Sequence, residues 1–277
     1  MLAVINPVAF NLGNLSVKWY GIIMAVAIIL ATWMSINEGQ KRQISSDDFI
    51  DLLLWMVPIG YVGARIYYVI FEWGYYSQHL DQIIAIWNGG IAIYGGLIAG
   101  AIVLIVFCYK RKLPIFLMLD IIAPSVMAAQ ILGRWGNFVN QEAHGGPTTL
   151  HFLQSIHLPN FIITQMKIGG VYYQPTFLYE SLFNLIGLIL ILVLRHRKHL
   201  FKRGEIFIFY ILWYSTVRFF VEGLRTDSLY IFGIIRVSQA LSLILFILAF
   251  ALLIYRRVVV KPKWYLDGSG LKYPYSR

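Results

Sequence analysis

Seven stretches of this chain are each about 20 mostly apolar residues long, enough to cross the hydrocarbon core of a bilayer as a helix. They run Val17–Ile36, Phe49–Ile70, Gly89–Tyr109, Pro114–Gly133, Thr176–Leu194, Glu205–Val221 and Val237–Tyr255. A water-soluble domain needs about 25% charged residues to cover its surface. Here 13% are charged and 59% hydrophobic, with a mean hydropathy of +0.69. Much of the surface must therefore meet lipid, and the sequence predicts an all-α integral membrane protein of about seven transmembrane helices. The 8 Trp and 18 Tyr suit the interfacial belts where amphipathic rings settle. A net charge of +10 belongs, in such a chain, to basic loops facing anionic lipid rather than to nucleic acid.

Those basic loops set an orientation. Lys41 and Arg42 follow the first span; Lys110, Arg111 and Lys112 follow the third. Arg195, Arg197, Lys198, Lys202 and Arg203 follow the fifth. Arg256, Arg257, Lys261, Lys263, Lys272 and Arg277 follow the seventh. The pattern places the N-terminus outside and the C-terminus in the cytoplasm. The start, Met1 to Asn14, lacks a basic region and a small-residue cleavage site, so a removed signal peptide is not expected. One membrane domain over residues 1–261 is expected, carrying a small outer head at about 141–174 between spans four and five. The head is read as partly stranded at Phe161–Ile168 and Val171–Tyr173. Residues 262–277 form a cytoplasmic tail, expected to be poorly ordered. No internal repeat is visible.

Seven basic residues oppose the topological trend: Lys18, Arg65, Arg134, Lys167, Arg218, Arg225 and Arg236. An arginine at mid-bilayer costs about 2.5–3.5 kcal/mol, so such groups face a protein interior or a watery cavity. In the sixth span Tyr214, Arg218, Glu222 and Arg225 recur at helical spacing and share one face. Two arginines against one glutamate leave positive charge over, which suits an anion from outside the protein. A mutual Arg–Glu pair that merely makes the helix insertable is the structural alternative. At the outer mouth of the fourth span stands Gly133-Arg-Trp-Gly-Asn-Phe-Val-Asn-Gln-Glu142. Arg134 offers a planar fork suited to phosphate, and Asn137 can donate and accept at once. Gly136, Gly145 and Gly146 allow a sharp turn or a close backbone approach there.

Tyr94 lies in a glycine-rich segment, where Gly96 and Gly100 form a helix-packing pair. Tyr20 enters the first span from the same side. For Arg65, Asp120 and Glu180, further charges within the spans, structural pairing competes with chemistry. Cys108 is the only cysteine and reads as a small packed hydrophobe. His144, His151 and His157 match no ligand spacing, so neither a metal nor a cofactor is expected. A transporter is a rival reading, since intramembrane charges often mark ion paths. The charges here gather toward one membrane face instead of lining a crossing. A non-catalytic scaffold built on glycine-rich helix contacts is the other rival.

Taken together, these segments resemble the phosphatidylglycerol–prolipoprotein diacylglyceryl transferases of bacterial inner membranes. The likeness runs from Val17-Lys-Trp-Tyr-Gly21 to Arg218-Phe-Phe-Val-Glu222, and the Gly133–Glu142 segment is its most specific piece. The resemblance implies transfer of a diacylglyceryl group from phosphatidylglycerol to the lipobox cysteine of a prolipoprotein signal peptide. The products are a thioether and glycerol phosphate, and the active site faces the extracytoplasmic side. It implies catalytic roles for Arg134, Asn137, Arg218, Glu222, Tyr20 and Tyr94. Substrate contacts are expected from Arg134, Asn140, Glu142, Arg225, Arg65 and Glu180. One departure stands out: many members carry histidine where this chain has Tyr94. A phenol of ordinary pKa, about 10, is a poor base at neutral pH.

Overall fold

The computed structural model describes residues 4–13, 15–226, 230–231 and 235–267. Its long helices are α1 (Trp19–Lys41), α2 (Ser46–Phe71), α4 (Ile93–Arg111), α5 (Ile115–Asn140), α8 (Thr176–Leu194), α9 (Glu205–Leu224) and α10 (Val237–Tyr255). A π turn, Arg256–Val260, continues α10. At 1.5 Å per residue even a 19-residue helix reaches about 28 Å, close to the hydrocarbon thickness. The short elements are the hairpin β1 (Val8–Leu12) and β2 (Leu15–Lys18), the turn α3 (Trp73–Tyr76), and the head pieces β3 (Pro147–Thr148), α6 (Leu150–Ser155), α7 (Asn160–Gln165), β4 (Lys167–Ile168) and β5 (Val171–Tyr173). A second small hairpin, β6 (Tyr230–Ile231) and β7 (Ile235–Arg236), precedes α10.

Each expected span is present, with two informative shifts of boundary. The third begins at Ile93 rather than Gly89, because Gly89 and Gly90 have φ of 84° and 73°, outside helical space. The fourth runs on to Asn140, so Gly136 lies inside a helix and makes no turn.

Two compact units divide the chain at points within α1 and α5. The unit built on Ser35–Met118 pairs α2 with α4. Their contact runs through glycines. A methyl on Gly95 would stand 3.0 Å from the Ala64 Cα, and one on Gly63 would stand 2.9 Å from the Gly95 carbonyl. Arg111, at the basic end of α4, meets Asp48 at 3.4 Å and also Asp51, near the start of α2. Buried Glu38 pairs with Arg42 one turn on, at 3.1 Å.

The other unit holds the remainder of α1 and α5, the head, and α8, α9 and α10, with α9 packed against both α8 and α10. Asp120, 0% exposed near the start of α5, accepts the backbone N–H groups of Gly204 at 2.5 Å and Phe207 at 2.9 Å. Those are donors that the first turn of α9 cannot satisfy itself. Glu205 beside it accepts two bonds from Arg257, at 2.7 and 2.9 Å. Residues 263–267, the described part of the expected tail, are tied back to the loop ahead of α9. Tyr265 is 1% exposed, its N–H donates to the Phe201 carbonyl, and Arg203 N–H donates to Lys263. Residues 268–277, including Lys272 and Arg277, lie outside the described residues.

The head corrects one expectation. Val171–Tyr173 is a strand, central in the antiparallel order β3-β5-β4, but most of 161–168 is not. Ile162 and Ile163 favour a strand by propensity. In the fold they pack with Leu153, Met166, Phe138 and Phe177, and only a helical turn after Pro159 brings them to that core together.

Removing the Asp120 cap leaves two buried N–H groups without an acceptor. Asp120→Ala is expected to destabilise the protein by about 2 kcal/mol or more, and Asp120→Asn by less, since one acceptor oxygen remains. Thermal unfolding in detergent reads this as a Tm that falls further for Ala than for Asn; equal Tm values for all three proteins would contradict the capping role.

Candidate active site

Three helices of one unit bring their charged ends together. Because α5 stays helical through Asn140, Arg134 and Asn137 share a face, and Arg134 Nη1 donates to Asn137 Oδ1 at 3.3 Å. From α8, Glu180 accepts Arg134 Nη2 through Oε1 at 2.5 Å. Its other oxygen, Oε2, accepts Arg218 Nη1 from α9 at 3.4 Å. Arg218 Nη2 lies 2.5 Å from Glu222 Oε2, one turn along the same helix. That oxygen has no well-aligned donor, so the contact is an ion pair rather than a good hydrogen bond. The result is an alternating row: Arg134, Glu180, Arg218, Glu222.

This row revises the charge count read from the sixth span. Glu180 comes from a different helix and supplies the carboxylate that looked missing. Glu180 is 1% and Glu222 2% exposed, while the Arg134 and Arg218 side chains keep 21% and 14% of their surface. A guanidinium has five N–H donors. Two of them are engaged in each of these arginines, so both retain donors for a further anion. Arg225 ends α9 as its C-cap, with φ −79° and ψ 150°, where the helix gives way to extended chain. Its backbone bridges Gly145. Arg236, just ahead of α10, donates to the Glu222 carbonyl.

The loop after α5 is tied to the same place. Glu142 accepts Asn137 Nδ2 at 2.9 Å and Asn140 Nδ2 at 3.5 Å. Gly145 N–H donates to Gln174, ahead of α8, and Gly146 N–H to Leu224, at the end of α9. The Thr176 hydroxyl donates to Ala143 at 2.8 Å. Tyr20 belongs here too. Its ring lies where a methyl on Gly136 would stand, 2.7 Å from Cδ2, so only glycine lets α5 and Tyr20 approach this closely. The His144 ring packs tilted against Tyr173, with centroids 4.1 Å apart and planes at 43°.

Sequence reasoning passed over Gln165. It is 1% exposed, and its Nε2 donates to the Val139 carbonyl at 3.0 Å and to Phe138 at 3.4 Å. These carbonyls end α5, so the head caps the helix that carries Arg134 and Asn137. The Gln165 carbonyl in turn accepts Gln141 Nε2 at 2.7 Å. A polar residue inside an apolar run, Phe161-Ile-Ile-Thr-Gln-Met166, was the available signal.

Arg65 and Tyr94 belong to the other unit. Arg65 is 6% exposed and donates to the carbonyls of Ile83, Gly89, Gly90, Gln82 and Ala85, at 2.7 to 3.5 Å. With its fork filled by backbone, the expectation that it grips substrate gives way to a loop-holding role. Tyr94, in the first turn of α4, is exposed, with its ring 6.5 Å from that of Tyr67.

Comparison with known proteins identifies the family. The profile of the family described as prolipoprotein diacylglyceryl transferase matches residues 7–255. A phosphatidylglycerol–prolipoprotein diacylglyceryl transferase of Lactobacillus acidophilus is 83% identical over 99% of this chain and 98% of its own. Those of Pediococcus pentosaceus and Lactiplantibacillus plantarum are 56% and 52% identical, each over 98% of this chain and 98% and 97% of their own. With the family profile covering every spanning helix and relatives matching end to end, this chain belongs to the prolipoprotein diacylglyceryl transferase family.

Proposed function

We propose that the chain transfers the diacylglyceryl group of phosphatidylglycerol to the thiol of a prolipoprotein's lipobox cysteine, at the extracytoplasmic face of the bacterial cytoplasmic membrane. The observation that carries this reading is the pair of guanidiniums sharing Glu180 where α5, α8 and α9 meet. A thiolate attacks the glycerol carbon that carries the phosphate. A C–S bond forms, the C–O bond breaks, and the oxygen leaves with glycerol phosphate. The protein has two tasks: to hold the phosphate as its charge grows and to favour the thiolate.

Arg134 and Arg218 meet the first task with the donors left over from Glu180, Asn137 and Glu222. Asn137, oriented by Glu142, directs its carbonyl at Arg134, which fixes the amide and turns the guanidinium plane. Asn140, at the end of α5, and Glu142, in the loop after it, contact the headgroup. Tyr20 lines the pocket against Gly136, and Arg225 adds positive potential. The second task falls to that potential, which stabilises the thiolate ahead of attack. No dedicated base is then required of Tyr94.

Lysine at position 134 keeps the charge and loses the fork that reaches Glu180, Asn137 and a phosphate together. Arg134→Lys is expected to lower kcat/KM at least about tenfold, equivalent to about 1.4 kcal/mol of transition-state stabilisation. The measurement is thioether formation from labelled phosphatidylglycerol and a lipobox peptide; wild-type turnover would refute the bidentate role. Tyr94→Phe removes the hydroxyl alone. Activity is expected to persist with an unchanged pH profile; loss of a rate that climbs with pH toward the phenol's pKa would identify Tyr94 as the proton acceptor after all.

A further inference from the structure

One helical turn toward the bilayer centre from the arginine row lies a second polar layer. The contacts Arg134–Glu180 and Glu180–Arg218 bring those three residues together from α5, α8 and α9. On α5 and α9, whose charged residues lie toward the C-terminal end, four residues back is one turn deeper. On α8, which carries Glu180 near its start, four residues forward is one turn deeper. Those steps reach Gln130, Tyr214 and Asn184, about 6 Å below the row. Cross-helix bonds hold the level together: the Ser181 hydroxyl donates to the Ile131 carbonyl at 3.3 Å, and Gln130 Nε2 donates to the Tyr210 hydroxyl at 2.9 Å. Below it the layer is closed by apolar packing, where Met127 and the Trp213 indole fill the space beside Gly187.

Asn184 stands out within this layer. It is 0% exposed, and neither its Nδ2 nor its Oδ1 has a hydrogen-bonding partner in the protein. A carbonyl oxygen can be under-used, but an orphaned buried N–H is rare and costly. The same holds whichever way the amide is turned, since one end always carries two N–H groups. Gln130 Oε1 is likewise unmatched. The level is not sealed, because Gln130 and Tyr214 are only half-buried. A ligand reaching it must bring an acceptor.

We propose that Asn184 donates to an acyl-ester carbonyl of the lipid substrate, and that this contact makes the enzyme prefer ester-linked over ether-linked lipid. The proposal rests on the reading that phosphatidylglycerol's phosphate sits on Arg134 and Arg218. Depth then identifies the group. On the water side of the phosphate lie the headgroup hydroxyls. On the bilayer side the glycerol esters come first, and below them only hydrocarbon. The esters are neutral acceptors without a donor of their own, which is what an orphaned amide N–H lacks. A charged side chain at this depth would attract a second anion or carry a heavy desolvation cost, whereas an amide does neither.

The test compares diacyl phosphatidylglycerol with its dialkyl ether analogue of equal chain length, in mixed micelles with a lipobox peptide. Both lipids carry the same phosphate, so the arginine row is satisfied by either. The ether leaves the Asn184 N–H groups without an acceptor. The wild type is expected to favour the ester by about tenfold in kcat/KM, the range of one buried hydrogen bond lost. Asn184→Leu should erase the preference by slowing the ester reaction while leaving the ether reaction near its wild-type rate. Asn184→Ser, which keeps a donor, should restore part of it. A wild-type ratio near one overturns the proposal without recourse to any variant, as does an ester preference that survives Asn184→Leu. A wild type that transfers neither lipid refutes the phosphatidylglycerol reading itself, and is thereby distinct from failure of the subsite alone.

Discussion

A single carboxylate organises the candidate site. Glu180 gives one oxygen to Arg134 and the other to Arg218, and so joins α5, α8 and α9 at one point. In water an exposed ion pair contributes little. In a bilayer the alternatives are worse for each partner: an unpaired arginine or glutamate would have to stay hydrated or deform the lipid around it. The three helices are held in register because separating them exposes charge to hydrocarbon. The positions of the guanidiniums follow from this register, and with them the place where an anion can bind.

The rest of the unit refines that point from above and beside. Gln165 and the head core fix the end of α5 through its carbonyls, which limits how far Arg134 and Asn137 can shift. The backbone bonds of Gly145 and Gly146 stitch the loop after α5 to the start of α8 and the end of α9. Tyr20 rests on the bare face of Gly136. Arg134, Asn137, Arg218 and Tyr20 are therefore each positioned by an interaction outside their own helix. Such support is what keeps a first layer of binding groups within the narrow geometry that chemistry requires.

How much of this was legible in the sequence depends on the range of the forces involved. The spans were readable because hydrophobic length is a local property, and boundaries shifted where neighbouring structure intervened, as with the positive-φ glycine at Gly89 and the continued helix at Gly136. The i, i+4 pairing of Arg218 with Glu222 was readable for the same reason. Pairing of Glu180 with two arginines was not, because spacing within one helix carries no information about which face meets which neighbour. The same blindness made Arg65 look like a substrate ligand. Its charge within a span was visible, but the loop that folds back carbonyls onto it was not. In the head, Ile162 and Ile163 misled because their strand propensity is weaker than the pull of a shared core. Asn184 was passed over for a related reason: one asparagine in an apolar helix is unremarkable until its surroundings are known to hold no partner for it.

The charge balance of the row bears on catalysis as much as on folding. Arginines without carboxylates would hold any anion firmly, and would hold the product more firmly than the substrate, because a phosphate diester gains a second ionisable oxygen when its C–O bond breaks. Such a site would bind well and turn over slowly. Glu180 and Glu222 offset part of the positive potential, so the singly charged lipid is gripped modestly. The leaving phosphate, as its charge grows, draws more strongly on the same guanidinium donors. Interactions that strengthen between ground state and transition state are those that accelerate a reaction, while uniform binding does not. The neutralised row, which at first sight weakens the case for an anion site, is thus better suited to releasing glycerol phosphate than an uncompensated cluster would be.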